Sequence, residues 1–589
     1  MKSLRYLNKY FLKYKWRLLL GILFIIATNI LKVFNTQFFG KNIDALKEWG
    51  DSNVEGDLVL QTLKVGAIYM GVALFSGVFL FFTRQMIIIV SRLIEYDLKN
   101  EIYEHYQKLD YTFYKKNSTG DLMNRISEDV TKVRMYLGPG IMYTINLAIL
   151  SILTISYMVS ISPVLTMFVL IPLPIMSFLI YKVSSRINAL SADVQNEQSA
   201  MSTLVQESFS GIRVIKAYSR TASVNDKFSK SSESYKDKNM RLVLINSLFM
   251  PTVYVLIGVS TLLCIYIGGL FSYSEAISIG DIIQFIIFVN MLTWPFASVG
   301  WVISINQRAA ASQTRINEFL QTKPEIVNTN HDDFLFKGDI EFKNVSYTYP
   351  NSGITAVSNL SFKVKKGESL GIIGRTGSGK STILKLLARQ VEPTEGEILI
   401  DGKPLPEINI DAFKDQIGVV PQDVFLFSDS IRNNLLFGTK NGIASDEELI
   451  KVCKKAHVWH NITAFPDQLD TLLGERGVNL SGGQKQRISI ARALIRKPKL
   501  LVLDDCLSAV DTETEEIILR NIKNENFDSS IVVSHRVSSI RNTNFIITLE
   551  DGRLVESGDH EKLLQKDGVY AQLYRKQLIE ENEASKFED

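Results

Sequence analysis

"SLGIIGRTGSGKST", Ser369 to Thr382, is an apolar run, a glycine-rich turn and the start of a helix. It fits G-x-x-x-x-G-K-[ST], with Gly374, Gly379, Lys380 and Ser381 in register and Arg375, Thr376, Gly377 and Ser378 as the turn between them. Glycines let backbone N–H groups curl around phosphate oxygens, and the N-terminus of the following helix adds its positive dipole end. Lys380 is predicted to reach the β- and γ-phosphates of a nucleotide. The Ser381 hydroxyl is predicted to ligate Mg²⁺, with Thr382 closing the cradle. The strand before the turn and the helix after it are the context this motif requires.

Downstream, "KLLVLDDCLSAVDTETE" (Lys499 to Glu515) reads as a buried strand that delivers a carboxylate, Asp504, to its tip, placed to hold Mg²⁺ through water. A second acid, Asp505, follows at once. Just before that strand lies "LSGGQKQRISIARAL", Leu480 to Leu494. Leu480, Ser481, Gly482, Gly483 and Gln484 open a helix and make a second phosphate-reading terminus. A chain that owns one phosphate cradle has no obvious use for another in the same site. The second can serve a nucleotide held by a different subunit.

The chain has 589 residues, 46% hydrophobic and 22% charged, but these averages conceal a segregated sequence. Up to about residue 310 charge-free runs recur, at Leu18–Leu31, Val65–Thr83, Met135–Tyr181, Leu242–Phe271 and Ile282–Gln307. Each is long enough for the roughly 20 residues that cross a bilayer, or nearly so with its flanks. The third is too long for one helix, and "VSISPV" (Val159 to Val164) divides it into a hairpin, so six spans are expected. No small-residue cleavage site follows the first run, which argues against a removed signal peptide. The start, "MKSLRYLNKYFLKYKWR", is basic without an acid and should stay in the cytoplasm. Arg92–Lys132 and Arg186–Arg241 are too polar for lipid and too regular for loops; they read as span helices continuing into the cytoplasm and turning at their tips.

Polar residues within the spans (Asn29, Asn35, Gln37, Arg84, Gln85, Asn246, Gln284, Asn290 and Trp294) either line a pathway or bond between helices. Pro172, Pro174, Pro251 and Pro295 should kink their helices. Cys264, Cys453 and Cys506 make neither a metal pattern nor a disulfide framework and read as small buried apolar residues. A net charge of +3, with no basic stripe interleaved with aromatics, speaks against nucleic acid.

In this combination the chain resembles the ATP-binding cassette (ABC) transporters, specifically exporters whose six-helix membrane domain precedes one nucleotide-binding domain. The resemblance covers nearly the whole chain and implies further roles. Tyr349 in "VSYTYP" matches the aromatic that stacks on adenine; taken alone it is an ordinary strand tyrosine. Gln422 in "VVPQD" matches the glutamine that contacts Mg²⁺ and the attacking water. Ser508, Ala509 and Asp511 in "SAVD" match the loop that touches the opposite subunit. His535 in "VVSHR" matches the switch histidine near the γ-phosphate, though a lone histidine is usually a surface or core residue. "TLLGERG" (Thr471 to Gly477) resembles the exporters' cross-linking loop, with Glu475 and Arg476 otherwise simply solvated charges. "FYKKNSTGDLMNRISEDV" and "SFSGIRVIKAY" resemble the cytoplasmic tips whose short coupling helices dock on the ATPase.

The expected architecture is an α-helical six-span membrane domain with long intracellular helices, then an α/β P-loop NTPase with a helical subdomain. The expected boundaries are 1–315 for the membrane domain, with spans near 17–40, 63–90, 138–160, 163–185, 242–270 and 280–306. A linker at 316–337, a nucleotide-binding domain at 338–578 and a polar tail at 579–589 follow. The resemblance implies an ATP hydrolase that exports a hydrophobic or amphiphilic, drug- or lipid-like substrate across the cytoplasmic membrane. ATP and Mg²⁺ are the implied cofactors, and membrane lipids and a second half-transporter the implied partners. Peptides or metal-thiol conjugates are alternative cargo, and a nucleotide-gated channel or regulator is an alternative use of the same frame. A soluble cassette ATPase would lack the spans, and importers of this class usually keep the two domains on separate chains. Asp505 stands where related chains carry a glutamate that polarises the attacking water. One methylene shorter, it implies a slow site and a heterodimer whose sibling carries Glu there, a homodimer being the alternative.

Overall fold

The computed structural model describes residues 2–51, 55–350, 352–474 and 477–585. The chain forms two compact units, Met1–Lys108 with Asn117–Lys323, and Leu109–Lys116 with Pro324–Asp589.

Among the described residues of the first unit, six helical spans are long and apolar enough to cross a membrane: Lys15–Ala45, Val59–Lys108, Thr119–Ile161, Pro163–Ser210, Thr221–Tyr273 and Ile279–Gln321. Helices bond every interior backbone group to themselves, the condition for crossing hydrocarbon. Between 6% and 39% of each most apolar window is buried within the chain. Most of that apolar surface therefore faces away from this protomer, as lipid or a second subunit requires. The expected hairpin turns at Ser162, whose backbone is extended and whose side chain accepts the Leu165 N–H, while Pro163 takes the first helical turn. The sixth span opens on a capping box between Ser278 and Asp281.

The charged arms are continuations of the spans. Helix Glu55–Lys108 runs unbroken through Arg92, and Pro172–Ser210 through Arg186. Two π turns, Arg125–Asp129 and Tyr136–Gly140, sit in the third, the second around Pro139. The tips are short helices, Tyr111–Lys116 and Ile212–Ala217.

Several span polar residues are glue. Buried Asn29 donates to Asn146 at 3.0 Å, and buried Gln284 accepts from the Tyr157 hydroxyl and donates to Asp281, both at 3.3 Å. Asn290 donates to the Ile286 carbonyl of its own helix. Trp294 is 63% exposed on this chain. Between the third and sixth spans Asp129 is 3% exposed and accepts from Arg315 Nε at 2.9 Å and Ser312 Oγ at 2.8 Å.

The second unit holds two sheets. Antiparallel β2-β1-β4-β5 combines β1 (Ile340–Thr348), β2 (Thr355–Val364), β4 (Glu395–Ile400) and β5 (Lys403–Pro404). The other, in order β10-β9-β3-β8-β7-β6, is built from β3 (Ser369–Gly374), β6 (Ile417–Val420), β7 (Leu500–Asp504), β8 (Ser529–Ser534), β9 (Phe545–Glu550) and β10 (Arg553–Gly558). Its strands are parallel except β10. β3, β7 and β8 are buried along nearly their whole length, which is why they read as continuous apolar runs rather than alternating ones. One core lies between the sheets around the helix Lys380–Leu387. The other joins the parallel sheet to a helical layer that includes Asp446–Lys455 and Gly482–Ile495.

Helix runs across two of the expected boundaries. The sixth span runs as helix to Gln321, and the stretch expected as a linker (316–337) is docked beyond it. Asn328 Nδ2 bonds Asn409 and Asp411 at 3.0 Å, and the Phe336 N–H donates to Gln416, with the Phe336 ring fully buried. The expected polar tail is largely helix, since Val569–Ser585 continues through it. Residues 586–589 lie outside the described residues, as do Glu475 and Arg476 of the expected cross-linking loop. All three cysteines are buried and free.

Asp129→Ala strips Arg315 and Ser312 of their shared acceptor. Because Arg315 is half exposed and can turn to water, the loss should be about 1–3 kcal/mol rather than that of a sealed ion pair. A lower unfolding midpoint in detergent is the expected result; an unchanged midpoint would show the cluster to be dispensable.

Candidate functional site

β3 ends at Gly374, and the chain passes through the turn Arg375–Gly379 into the helix Lys380–Leu387. Gly379 requires its glycine twice over. Its φ is +95°, and a Cβ there would lie 2.2 Å from the Ala356 carbonyl oxygen. The Lys380 ammonium is buried and donates to the carbonyls of Gly374 at 2.8 Å and Arg375 at 2.9 Å. Its Nζ lies 3.4 Å from His535 Nδ1. Burial pulls the Lys380 pKa down to about 8, against the opposing charges of Asp505 and Asp504. Ser378 Oγ is buried inside the turn without a hydrogen-bond partner. Arg375, Thr376 and Gly377 form its exposed rim.

Parallel pairing of β3 with β8, and of β8 with β7, carries the ends of all three strands to one edge. Ser381 Oγ donates to Asp504 Oδ1 at 3.2 Å. Burial raises the Asp504 pKa, with the Asp505 charge adding to it, while the Ser381 hydrogen bond and Lys380 pull it back. Asp505 is in the left-handed region at φ +44°, held there by its N–H donating to Val533 O at 2.8 Å. Its Oδ2 accepts from Gln422 Nε2 at 3.2 Å. Tyr349 joins the cluster through Thr382, their hydroxyls 3.1 Å apart. Lys380, Ser381, Thr382, Asp504, Asp505, Gln422, His535 and Tyr349 thus converge from five separate stretches of sequence.

The signature residues form a different cluster. Ser481 and Gln484 cap their own helix reciprocally, Oγ accepting from Gln484 N–H at 3.3 Å and Oε1 from Ser481 N–H at 2.9 Å. Leu480 is buried beneath them. A Cβ on Gly483 would sit 2.8 Å from the Ala509 carbonyl, and one on Gly482 3.4 Å from the Ala509 side chain, so the "SAVD" loop packs directly on these glycines. Asp511 caps the helix Thr512–Lys523 through Thr514 N–H, and the Ser508 hydroxyl donates to the Asp505 carbonyl at 3.1 Å. Among the described residues no hydrogen bond or ion pair joins 480–484 to 374–382.

Two neighbours escaped the sequence reading. Gln486 ties the signature helix to "SAVD", accepting from Ala509 N–H at 3.1 Å and donating to Ser508 Oγ at 3.3 Å. Lys115, in the tip helix Tyr111–Lys116, places its ammonium 4.2 Å from the centre of the Tyr349 ring. The same segment is pinned where Asp110 accepts from Glu325 N–H at 2.6 Å and Lys116 pairs with Glu325 at 3.3 Å. "YKK" in a candidate tip signalled a docking surface, but only the tertiary fold selects Lys115 and that ring.

The chemistry of the cluster fits a nucleotide with its metal. The turn holds an unpartnered buried hydroxyl, the glycines leave room, and Ser381, Asp504 and Gln422 present the hard oxygens that Mg²⁺ takes.

Comparison with known proteins agrees. Residues 18–296 match the ABC transporter transmembrane region and residues 357–508 the ABC transporter family. The chain is 35% identical to the probable multidrug resistance ABC transporter ATP-binding/permease protein YheI of Bacillus subtilis, over 98% of each. It is 33% identical to the ATP-dependent lipid A-core flippase of Pseudoalteromonas translucida, over 86% of this chain and 87% of that one. A bacterial Atm1-family ABC exporter solved with ATP bound superposes with a TM-score of 0.75, at 24% identity, over 97% of this chain and 99% of that one. Six membrane-crossing helices ahead of an ATP-binding P-loop unit, in one chain related end to end to such proteins, make this a multi-pass membrane protein of the ABC transporter family, of the exporter type with fused membrane and ATPase domains.

Proposed function

We propose that the chain is one half of a dimeric pump that exports hydrophobic or amphiphilic molecules, drug- or lipid-like, across the cytoplasmic membrane. The observation that carries this reading is the segment Leu109–Lys116, which joins the second span to the third yet packs in the nucleotide-binding unit, with Lys115 over Tyr349. A change at the nucleotide can thereby reach the spans. The names of the multidrug and lipid-flippase relatives support the substrate class. Basic residues at the N-terminus support a cytoplasmic placement for it and for the ATPase unit. Accumulation of a lipophilic dye in proteoliposomes against its gradient, dependent on ATP, is the expected result. Passive ATP-gated conductance would favour the channel reading instead.

In this scheme Lys380 and the turn Gly374–Gly379 bind the phosphates, and Tyr349 stacks on adenine. Ser381, Asp504 and Gln422 would hold Mg²⁺, which neutralises phosphate charge when bound. Asp505 orients the attacking water with Gln422, and His535 faces the γ-phosphate. Leu480–Gln484 and the loop Ser508, Ala509, Asp511 serve the partner's nucleotide, because they stand apart from this chain's own cradle. The second tip supports a partner as well: Phe209, Ile212, Val214 and Tyr218 are 42–75% exposed around Ile212–Ala217. ATP-driven closure then shifts the population from inward- to outward-open. Lys380→Ala should abolish nucleotide-dependent closure at its site, read by spin-label distances between the two ATPase units; unchanged closure would overturn the assignment.

ATP affinity should fall at high pH. Lys380 is an ammonium below its pKa of about 8 and loses its charge above it. Binding should therefore be level at lower pH and weaken toward about tenfold per pH unit above the pKa. Calorimetric titration across that range tests this; Lys380→Arg, which cannot deprotonate, should remove the inflection.

Asp505 marks a slow site, and the natural assembly pairs this chain with a related half-transporter carrying Glu at that position. A base displaced by about 1 Å loses up to about 10²-fold in rate. Asp505→Glu in the chain purified alone should raise ATP turnover by up to that factor; equal turnover would sink the slow-site reading and leave the homodimer.

A further inference from the structure

The C-terminal helix Val569–Ser585 is anchored at its first turn. Glu556 accepts the N–H groups of Val569 and Tyr570, each at 2.9 Å, and the fully buried Tyr570 places its hydroxyl 2.6 Å from His560 Nδ1. Leu573 and Tyr574 pack on the same core. Positions 570, 573, 574 and 577 share one helix face. Gln577 is thus the next residue on an inward-facing, half-buried stripe, and it is polar.

Its amide makes two bonds to one turn of backbone. Oε1 accepts the Val537 N–H at 2.8 Å, and Nε2 donates to the His535 carbonyl at 2.6 Å. One partner can only donate and the other only accept, so the orientation of the amide is fixed by its surroundings. These bonds bracket Arg536, which is itself held. Its N–H donates to Ser534 Oγ at 2.9 Å, and its guanidinium pairs at 3.0 Å with Glu515, a carboxylate 1% exposed. The guanidinium also reaches the Ser508 and Val510 carbonyls at 3.4 Å. The backbone from Ser534 to Val537 is clamped on both sides, leaving the His535 imidazole to face Lys380.

We propose that Gln577 is a positioning residue for ATP hydrolysis. Its amide holds the His535 backbone so that the imidazole stays at the phosphate cradle, tying the C-terminal helix to the nucleotide site. Gln577 touches neither nucleotide nor reacting atoms and acts through His535. The inference rests on the reading of His535 as the group facing the γ-phosphate.

The test uses the full-length protein in lipid nanodiscs, with single-turnover hydrolysis of prebound MgATP, equilibrium ATP affinity and thermal unfolding as readouts. Gln577→Glu keeps the acceptor for Val537 but turns a carboxylate oxygen toward the His535 carbonyl, whereas Gln577→Ala removes both bonds. Both should slow the single-turnover rate about tenfold or more while ATP affinity stays within about twofold. In the His535→Ala background the residual rate should be indifferent to Gln577→Ala. Wild-type rates in both Gln577 variants, or the same fold-loss with and without His535, would overturn the proposal. So would rate and affinity falling together with a lowered unfolding midpoint in Gln577→Glu. A His535→Ala protein that hydrolyses at the wild-type rate would instead overturn the reading of His535 itself.

Discussion

The nucleotide unit is organised around a buried cation. Lys380 has its ammonium out of water with two backbone carbonyls as direct acceptors, and the carboxylates of Asp504 and Asp505 act on it by charge. Such a group is tolerable only where the surroundings fix every acceptor, because an unpaired charge away from water is heavily penalised. The turn Arg375–Gly379 supplies that fixing, and it can close so tightly only because Gly379 has no side chain to meet Ala356. The parallel sheet supplies the rest. With β3, β8 and β7 adjacent and in register, Gly374, Ser534 and Asp504 end at one edge, and the residues that follow each strand share a cleft. A polyanion entering that cleft meets a cation that already lacks its preferred solvent.

The second cluster obeys the opposite logic. Ser481 and Gln484 spend their hydrogen bonds on their own helix, and Gly482 and Gly483 let "SAVD" lie against that helix end. The surface so formed is pre-shaped and internally satisfied, which suits a part that must meet a ligand brought by another molecule. Ser508 bridges the two clusters, bonding Gln486 on one side and the Asp505 carbonyl on the other. A displacement of "SAVD" would therefore be felt at the backbone of Asp505, whose left-handed conformation leaves it little freedom to adjust.

In the membrane unit some polar groups are matched in pairs or triplets, Asn29 with Asn146, Gln284 with Tyr157 and Asp281, Asp129 with Arg315 and Ser312. Hydrocarbon offers no replacement partner, so a pair within the spans such as Asn29 with Asn146 also sets which helix faces meet. The apolar surface left over is large because a half-transporter has both lipid and a second subunit to cover it.

Amino-acid order alone made legible the six apolar spans, the P-loop pattern, the two glycine-bearing helix starts and the acid pair at the end of β7. These are local patterns: a charge-free run of bilayer length, a strand-turn-helix with glycines at set spacing, an apolar run that ends in aspartate. Periodicity and composition carry such information because neighbours along the chain are neighbours in space. Only the tertiary structure decided that Gln422 meets Asp505, that Thr382 meets Tyr349, and that Lys115 covers the Tyr349 ring. It alone gave several of the span polar residues their hydrogen-bond partners, and it showed the expected linker to be helix to Gln321 followed by irregular chain docked on the nucleotide unit. Those partners lie tens to hundreds of residues apart, joined by strand order and helix packing. A hydrogen bond at 3 Å depends on a convergence of elements that no single stretch of sequence contains.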